Sequence, residues 1–570
     1  MRDGMKPCQH TISDDVIYKE VVVIGNGPSG MVTSFMLAGN IPYLKEVPES
    51  LPIDEMLKAR LQNVPPGQNL LEIDLMELAE GLEGRSQNPI PLLVDTLLRP
   101  GADLGVEEDS LIEWRYDVEK QIEHIVLGKG PPGGAWHTFP GSVRSLSPGA
   151  WLCLPPHADG ARGRVPARAV AAYCRRYVHA CGIQRFFRCG VTVSSVRRAP
   201  RPPAPPCRAA CPRNAAFLVS GYDKSASRGF TYACRRVVLA AGAGDRPNTL
   251  PAAPAAPALS ARDLHAVERA VRVLAARRTR GDCDDAGRTV LVVGSGVSAA
   301  DAVRLARGAG LRVRHLHRAA AAALARLAPN HYAEYCQVYK MMMDGPTGNH
   351  PDYTPYPEHA VLDITPISPH ETTPSPKLRD EIDDETLTLK KVKLLNLITN
   401  ETVEITVTLI AVLIGSKPDL FFLQTNFDIS LNQKCIKCLE KRNENQKQWF
   451  LQHHWHYLKT VLEQSIQTCK SKYLNYELNG SETKCLPDCN KEDACDCDNP
   501  YSDGIGFGVD PDRPVDGRSN PVAIDKSTHE VLNGPAGLYA MGPLTADNFM
   551  RFIPGGAMAI VSHIHKQKDN

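Results

Sequence analysis

In two places along this chain a short run of buried-strand character passes through a glycine-rich turn into a helical run. The first is Glu20-Val-Val-Val-Ile-Gly-Asn-Gly-Pro-Ser-Gly-Met31. Here Val21–Ile24 reads as a strand, Gly25, Gly27, Pro28, Ser29 and Gly30 as a turn, and Met31–Leu37 as the following helix. The second is Val290-Leu-Val-Val-Gly-Ser-Gly-Val-Ser-Ala-Ala-Asp301, with Gly294, Gly296, Ser298 and Ala299 at the turn and a helix over Ala299–Ala306. In such a turn the first glycine permits a tight bend and the second lets backbone amides approach a pyrophosphate. The third small residue lets helix lie close on strand, and the helix N-terminus favours the anion. Each turn predicts dinucleotide binding, and two turns in one chain predict two cofactors.

After the first helix the pattern departs from an uninterrupted strand-helix-strand unit. An acidic residue is expected about 20 positions beyond the glycines. Glu46 stands near that distance, but it lies in Leu44-Lys-Glu-Val-Pro-Glu-Ser-Leu-Pro52, whose prolines read as loop. The better second strand is Ile122–Leu127, running into Gly128-Lys-Gly-Pro-Pro-Gly-Gly-Ala-Trp-His137. Gly39–Glu123 is therefore read as an insertion, helical over Asp54–Asn63, Ile73–Glu83 and Pro91–Leu98, and as a lid or partner surface. Where the ribose-binding carboxylate should follow the second strand there are Gly128 and Lys129. Either another loop supplies that contact or cofactor affinity is weakened.

Farther along, Pro166–Ala180 has helical periodicity, Ala199–Pro206 is a proline-rich loop, and Phe230–Ala241 is a strand ending at the glycine turn of Gly242. The alanine run Ala319–Ala323 reads as helix. Leu311–Arg318 reads as the strand after the second turn. Its end carries histidine and Arg318 in place of a carboxylate, which favours the 2′-phosphate of NADP over the ribose hydroxyl of NAD, with a solvated basic edge as the alternative. Val403–Ile414 reads as one strand, Asn520–Asp525 and Gly537–Gly542 as two more, and Arg551–Ala559 as a helix start suited to a flavin carbonyl or phosphate.

Composition narrows the picture. The chain has 570 residues and a formal charge of +1, which gives no overall reason to expect nucleic acid or an anionic membrane as partner. The N-terminal residues lack the apolar core of a secretory signal, and Val407–Ile414 is far short of a membrane span, so a soluble cytoplasmic protein with reduced thiols is expected. Of 17 cysteines, Cys435, Cys438, Cys469, Cys485, Cys489, Cys495 and Cys497 fall late in the chain, around His453, His454 and His456. Their spacings do not repeat as zinc ligands do, so no metal is expected and an irregular, reduced, partly disordered insert is.

Together, Gly25-Asn-Gly-Pro-Ser-Gly30, Gly133-Gly-Ala-Trp136, Leu239-Ala-Ala-Gly242, Gly294-Ser-Gly-Val-Ser-Ala299 and Leu538-Tyr-Ala-Met-Gly-Pro543 resemble flavin-containing monooxygenases. Leu78–Ser86, Leu127–His137, Leu413–Asp419 and Tyr539–Phe549 more closely resemble the oxidative stress-induced growth inhibitor family. The resemblance covers most of Val21–Gly556, apart from Leu431–Asp503 and the proline-rich stretch. It implies an α/β fold of two dinucleotide-binding, Rossmann-like domains of the flavoprotein monooxygenase type, with insertions. Residues 19–250 form the first part of an FAD-binding domain, with its insertion at about 39–121. Residues 251–423 form an NADPH-binding domain, 424–503 a Cys/Lys/Asn-rich insertion, and 504–566 the C-terminal part of the FAD-binding domain.

Carried onto matching positions, Gly25, Gly27, Pro28, Ser29, Gly30, Gly134, Trp136, Gly242, Gly542, Asp547, Gly555 and Gly556 serve FAD. Gly294, Gly296, Ser298, Ala299 and Arg318 serve NADPH, and no catalytic side chain is singled out. Trp136 and Trp151 are candidates to line the reaction cavity, or are ordinary core aromatics. The implied activity is FAD- and NADPH-dependent monooxygenation connected with cell growth, cell death and oxidative stress. Two features depart from the monooxygenase pattern: Gly542-Pro543 replaces the expected glycine-aspartate pair, and no Phe-x-Gly-x-x-x-His signature occurs between Ala243 and Thr289. The competing reading is a catalytically degenerate scaffold whose insertions bind protein partners. A flavin-dependent disulfide reductase ranks last, because no cysteine pair follows the first nucleotide helix.

Overall fold

A computed structural model describes residues 16–157, 160–199, 214–250, 259–280, 286–317, 322–367, 384–423 and 504–569. The cysteine-rich stretch 424–503, Arg318 and most of the proline-rich loop lie outside the described residues, as does the alanine run up to residue 321. No helix among the described residues is long and apolar enough to cross a membrane.

The first β-branched run forms the strand Val16–Ile24 at the centre of a seven-stranded sheet. It pairs in parallel with His124–Gly128 on one side and Arg228–Leu239 on the other. Phe187–Cys189 extends the parallel part beyond His124–Gly128, and Leu538–Ala540 pairs in parallel with Arg228–Leu239. The far side, Phe217–Asp223 and Val191–Arg198, is antiparallel. A second sheet, entirely parallel, runs in the order Tyr353–Pro357, Arg312–His317, Thr289–Val293 and Leu409–Val412. Their fully buried Val, Ile and Leu runs are what strands covered on both faces require. Each glycine turn leaves the C-terminal end of a strand inside a parallel array, where doubly wound folds bind nucleotides.

The segment read as an insertion is closed at its neck by a strand pair. Asn40–Leu44 pairs antiparallel with Ile112–Tyr116, zipping the two ends together. At Gly39, φ is +99° and a β-carbon would lie 2.3 Å from Asp117 O, so only glycine fits the exit. Two of the three expected helices form nearly as read, Glu55–Gln62 capped by the Asp54 carboxylate and Pro89–Leu98 entered through Pro89. The third shrinks to Leu75–Leu78, because the chain turns through a left-handed conformation at Gly81.

Calling the insertion a lid needs correction. Leu57, Leu70, Leu93 and Leu97 are fully buried in the same core as Val21 and Val23 of the first strand and Ile560 and Val561 of the C-terminal helix Ile553–Asp569. Burying a leucine is worth about 1.5–3 kcal/mol, so exposing these four costs roughly 6–12 kcal/mol, comparable with the net stability of a whole domain. One face of the insertion is part of the core and cannot lift away.

Two strand assignments also change. Val403–Ile414 is not continuous: Thr402–Val407 belongs to an antiparallel meander with Lys390–Asn396, whereas Leu409–Val412 joins the parallel sheet. The chain crosses between them at Thr408, whose carbonyl accepts from the buried Lys390 ammonium, as do those of Thr386 and Thr388. Asn520–Asp525 makes only isolated bridges, because the Asn520 amide donates to the carbonyls of Asp510, Arg513 and Pro514 and organises a loop.

The C-terminal helix meets the insertion helix Pro89–Leu98 at Gly555, where a β-carbon would lie 2.3 Å from Pro91 Cα. Gly555→Ala is expected to cost about 1–3 kcal/mol and to lower the unfolding temperature. Thermal denaturation followed by circular dichroism checks this; an unchanged transition would show that the two helices separate freely.

Candidate functional site

The first glycine turn is built from contacts between backbones. At Gly25, with φ +114°, a β-carbon would lie 2.2 Å from Ala240 O, and at Gly30 one would lie 1.9 Å from Gly25 O. These two glycines are demanded by the chain itself. Gly27 is different. It caps the helix Pro28–Leu37 with φ −70° and ψ −175°, an extended conformation open to any residue, and a β-carbon there would meet only Gly134 Cα at 3.9 Å. No side chain caps the helix, although Ser, Asp or Asn at this position is typically a few tenths of a kcal/mol better than glycine.

The second turn repeats the division. Gly294, with φ +136°, is fixed by Leu413 O, 2.3 Å from where its β-carbon would be. Gly296 caps the helix Val297–Gly308 in extended conformation, with no side-chain cap and nothing within 4 Å of its missing β-carbon. Ser298 and the buried Ala299 lie in the first turn of this helix. The Gly294 carbonyl is held by His315 Nε2 at 2.8 Å, while Nδ1 meets Tyr353 Oη at 2.9 Å. Because a carbonyl only accepts, Nε2 carries the proton and Nδ1 accepts from the tyrosine. Burial pushes this histidine down to about 4, so it stays neutral. Asp301, on the same helix, is pushed up to about 6 by burial, against donation from Tyr335 Oη at 3.2 Å.

Most of the residues expected to serve the first cofactor converge. A β-carbon on Gly134 would lie 3.0 Å from Gly27 Cα, and one on Gly542, where φ is +67°, would lie 2.4 Å from Ser29 Oγ. Gly242, also at positive φ, follows the strand end next to Ile24 and has open space. Trp136 packs on the first core and edge-to-face on Phe139. Trp151 lies instead beneath the Arg551 guanidinium, 4.3 Å from its ring centre.

The C-terminal candidates are committed elsewhere. Gly555 is explained by helix packing, and Gly556 faces His529, 3.1 Å from where a β-carbon would stand. The buried Asp547 carboxylate accepts from Ser86 Oγ and from Asn88 Nδ2 at 2.9 Å, both on the insertion. Beside it, buried Arg551 donates through Nε to Asp95 at 2.7 Å and through Nη1 to Asp103 at 2.9 Å, while Arg99 donates to the other oxygen of Asp95 at 3.1 Å. The insertion thus occupies the side chains that were expected to face a flavin.

Asn26 is a site residue that motif reading passes over. Its buried side chain lies across the end of the second strand, where a β-carbon on Gly128 would come 2.1 Å from Asn26 Cγ, and it donates to Gly130 O at 2.6 Å. The missing ribose carboxylate and the residue after the first glycine are one feature: an amide takes the space that a side chain at 128 would need. Two glycine turns, each at the end of a strand inside a parallel array, define a protein of the two-dinucleotide-domain class.

The chain belongs to the oxidative stress-induced growth inhibitor family. It is 31% identical to human oxidative stress-induced growth inhibitor 1 over 564 residues, covering 96% of this chain and 95% of that protein. It is 28% identical to human oxidative stress-induced growth inhibitor 2 over 583 residues, covering 96% and 94%. No family model matches the chain. Among solved structures, the bacillithiol disulfide reductase of Bacillus cereus aligns at 12% identity and a TM-score of 0.47 over 96% of this chain and 99% of that one, a likeness too low to carry functional weight.

Two predictions follow from the buried charges. Asp95→Ala leaves Arg551 and Arg99 short of a partner in the interior and is expected to cost about 3–5 kcal/mol, read as a fall in unfolding temperature. Burial raises the Asp547 carboxyl from its ordinary 3.8 to about 6, so the folded state holds that proton more tightly than the unfolded chain. Its contribution is fully present below about pH 4 and is lost as pH rises through 6. Asp547→Asn is therefore expected to be more stable than the wild type above pH 6, by about 1–3 kcal/mol, and level with it near pH 4. Equal pH profiles would show the carboxylate to be ionised without cost.

Proposed function

We propose that this protein binds FAD at the first glycine turn and NADPH at the second, and acts as an FAD- and NADPH-dependent oxidoreductase of the monooxygenase kind. The observation that supports this reading is the pair Gly27 and Gly296. Neither glycine is required by its backbone angles or by neighbouring atoms, and each replaces a better helix cap. A bare backbone at an uncapped helix N-terminus fits a pyrophosphate, which needs close approach and supplies the missing acceptors.

The roles of the chain's own residues follow from this. The amides of Ser29 and Gly30 would hold one pyrophosphate, with Gly134, Trp136, Gly242 and Gly542 around it. The amides of Ser298 and Ala299 would hold the other. Asn26 would present its amide where an acid usually meets the ribose, and Arg318 would pair with the 2′-phosphate. When bound, the two cofactors supply hydride transfer and activation of dioxygen; the protein orients them and excludes water. The names of its relatives support a role in limiting growth under oxidative stress, and a cytoplasmic site of action is part of the same proposal.

A scaffold without redox activity is the second reading. It is favoured by Asn26 over Gly128 and by the engagement of Asp547 with the insertion, both of which remove acidic contacts a flavoprotein would use. An absorption spectrum separates the two. The enzyme reading expects protein purified without added cofactor to carry FAD and to be reduced faster by NADPH than by NADH. Arg318→Ala is expected to remove that preference, and equal initial rates with both nucleotides would refute the role of Arg318. Gly27→Ala is expected to bind FAD roughly tenfold or more weakly, while the cofactor-free protein keeps its stability within about 0.5 kcal/mol. Colourless, well-folded wild-type protein that does not take up added FAD would leave only the scaffold.

A further inference from the structure

We infer that a cavity between the two sheet domains is a binding site for a phosphate-class dianion, distinct from both glycine turns. The cavity measures about 390 Å³ and is lined by Arg144, Arg164, Arg304, Asn330, His331 and Glu334. Arg144 and Arg164 come from the paired segments Arg144–Pro148 and Arg164–Pro166, in the first half of the chain. Arg304 lies on the helix of the second glycine turn, and Glu334 on the helix Ala333–Met343. The lining carries three guanidiniums and one carboxylate, a net charge of +2 with His331 neutral.

Arg164 is built in. Its side chain is only 10% exposed, Nε donates to Ser145 O at 2.6 Å, and Nη1 donates to Glu334 at 2.6 Å and to His331 O at 3.1 Å. The guanidinium lies 4.7 Å from the Tyr332 ring centre and 5.3 Å from that of Tyr335. Its Nη2 is buried and has no hydrogen-bond partner. The other contacts hold Arg164 in place, so that it contributes a fixed positive charge to the cavity it lines. Arg304 shares one nitrogen with Asp301 at 3.2 Å and is 44% exposed, and Arg144 is exposed with only a long contact to Arg164 O at 3.4 Å. Both keep free donors for a ligand, and planar guanidiniums suit phosphate oxygens.

Several guanidiniums around one cavity suit the three or four oxygens of a phosphate better than the two of a carboxylate. Its source is either a small phosphate or the 2′-phosphate of the dinucleotide, which would then engage this cavity in place of Arg318. Arg304 stands 8 residues beyond Gly296, about 12 Å along the helix. Because the lining comes from both halves of the chain, occupancy would hold them in the arrangement seen here.

The test uses the full chain and inorganic phosphate, against sodium chloride at equal ionic strength. The unfolding temperature is expected to rise saturably with phosphate. Arg144→Gln and Arg304→Gln are each expected to weaken phosphate binding roughly tenfold; Arg144→Gln leaves stability in chloride unchanged, whereas Arg304→Gln, which loses the bond to buried Asp301, is read against its own chloride baseline. Absence of a saturable rise, or the same rise in the double variant, would overturn the site. Saturating NADP⁺ resolves the source. A phosphate response that adds to that of NADP⁺ supports a small phosphate ligand, and one that NADP⁺ abolishes in the wild type, together with weakened NADP⁺ binding in both variants, supports the dinucleotide. None of these readouts requires bound FAD, so the site stands or falls separately from the flavin proposal.

Discussion

Backbone meets backbone at the first glycine turn more closely than any side chain permits. Ala240 O sits where a β-carbon of Gly25 would be, and Gly25 O sits where a β-carbon of Gly30 would be. The strand Val16–Ile24, the helix Pro28–Leu37 and the strand Arg228–Leu239 are locked together through those two absences. Three further segments close on this turn: the loop of Gly134 lies on Gly27, Gly542 lies on Ser29, and Asn26 reaches over Gly128. The second turn uses the same device, with Leu413 O against Gly294 and His315 holding the Gly294 carbonyl from the adjacent strand.

Around this frame, the glycines divide into two kinds with different meanings. Those at positive φ and in steric contact serve the fold, and they would be needed whether or not anything binds. Gly27 and Gly296 have no such reason: their backbone is extended and no atom crowds their missing β-carbons. Gly555 is of the first kind, because the helix Pro89–Leu98 lies where its β-carbon would be. A glycine is informative about binding only after its structural reasons have been counted.

The insertion changes the chemistry near the C-terminal segment. Ser86, Asn88, Asp95 and Asp103 neutralise or occupy Asp547 and Arg551, so polar groups that were candidates for a flavin contact instead fasten the insertion to the sheet domain. The bonds to Ser86, Asn88 and Asp95 are in the interior, where water does not compete, and breaking one side strands a buried charge. The cost of such a defect keeps the insertion seated.

The two turns, their helices and two of the insertion's helices were legible in the sequence because each depends on residues within a few positions of one another. A glycine at a bend, a β-branched run or a proline at a helix start acts through its own dihedral angles. Tertiary structure alone decided that the insertion's leucines join the core of Val21 and Val23, that Val403–Ile414 divides between two sheets, and that Asp547 is held by Ser86 and Asn88, more than 400 residues away. It also separated Gly27 from Gly25, identical letters in one motif, by showing which has a neighbour. Partners so distant along the chain leave no periodicity to read: their contact exists only once the backbone has closed, and burial then fixes which polar groups remain free for a ligand.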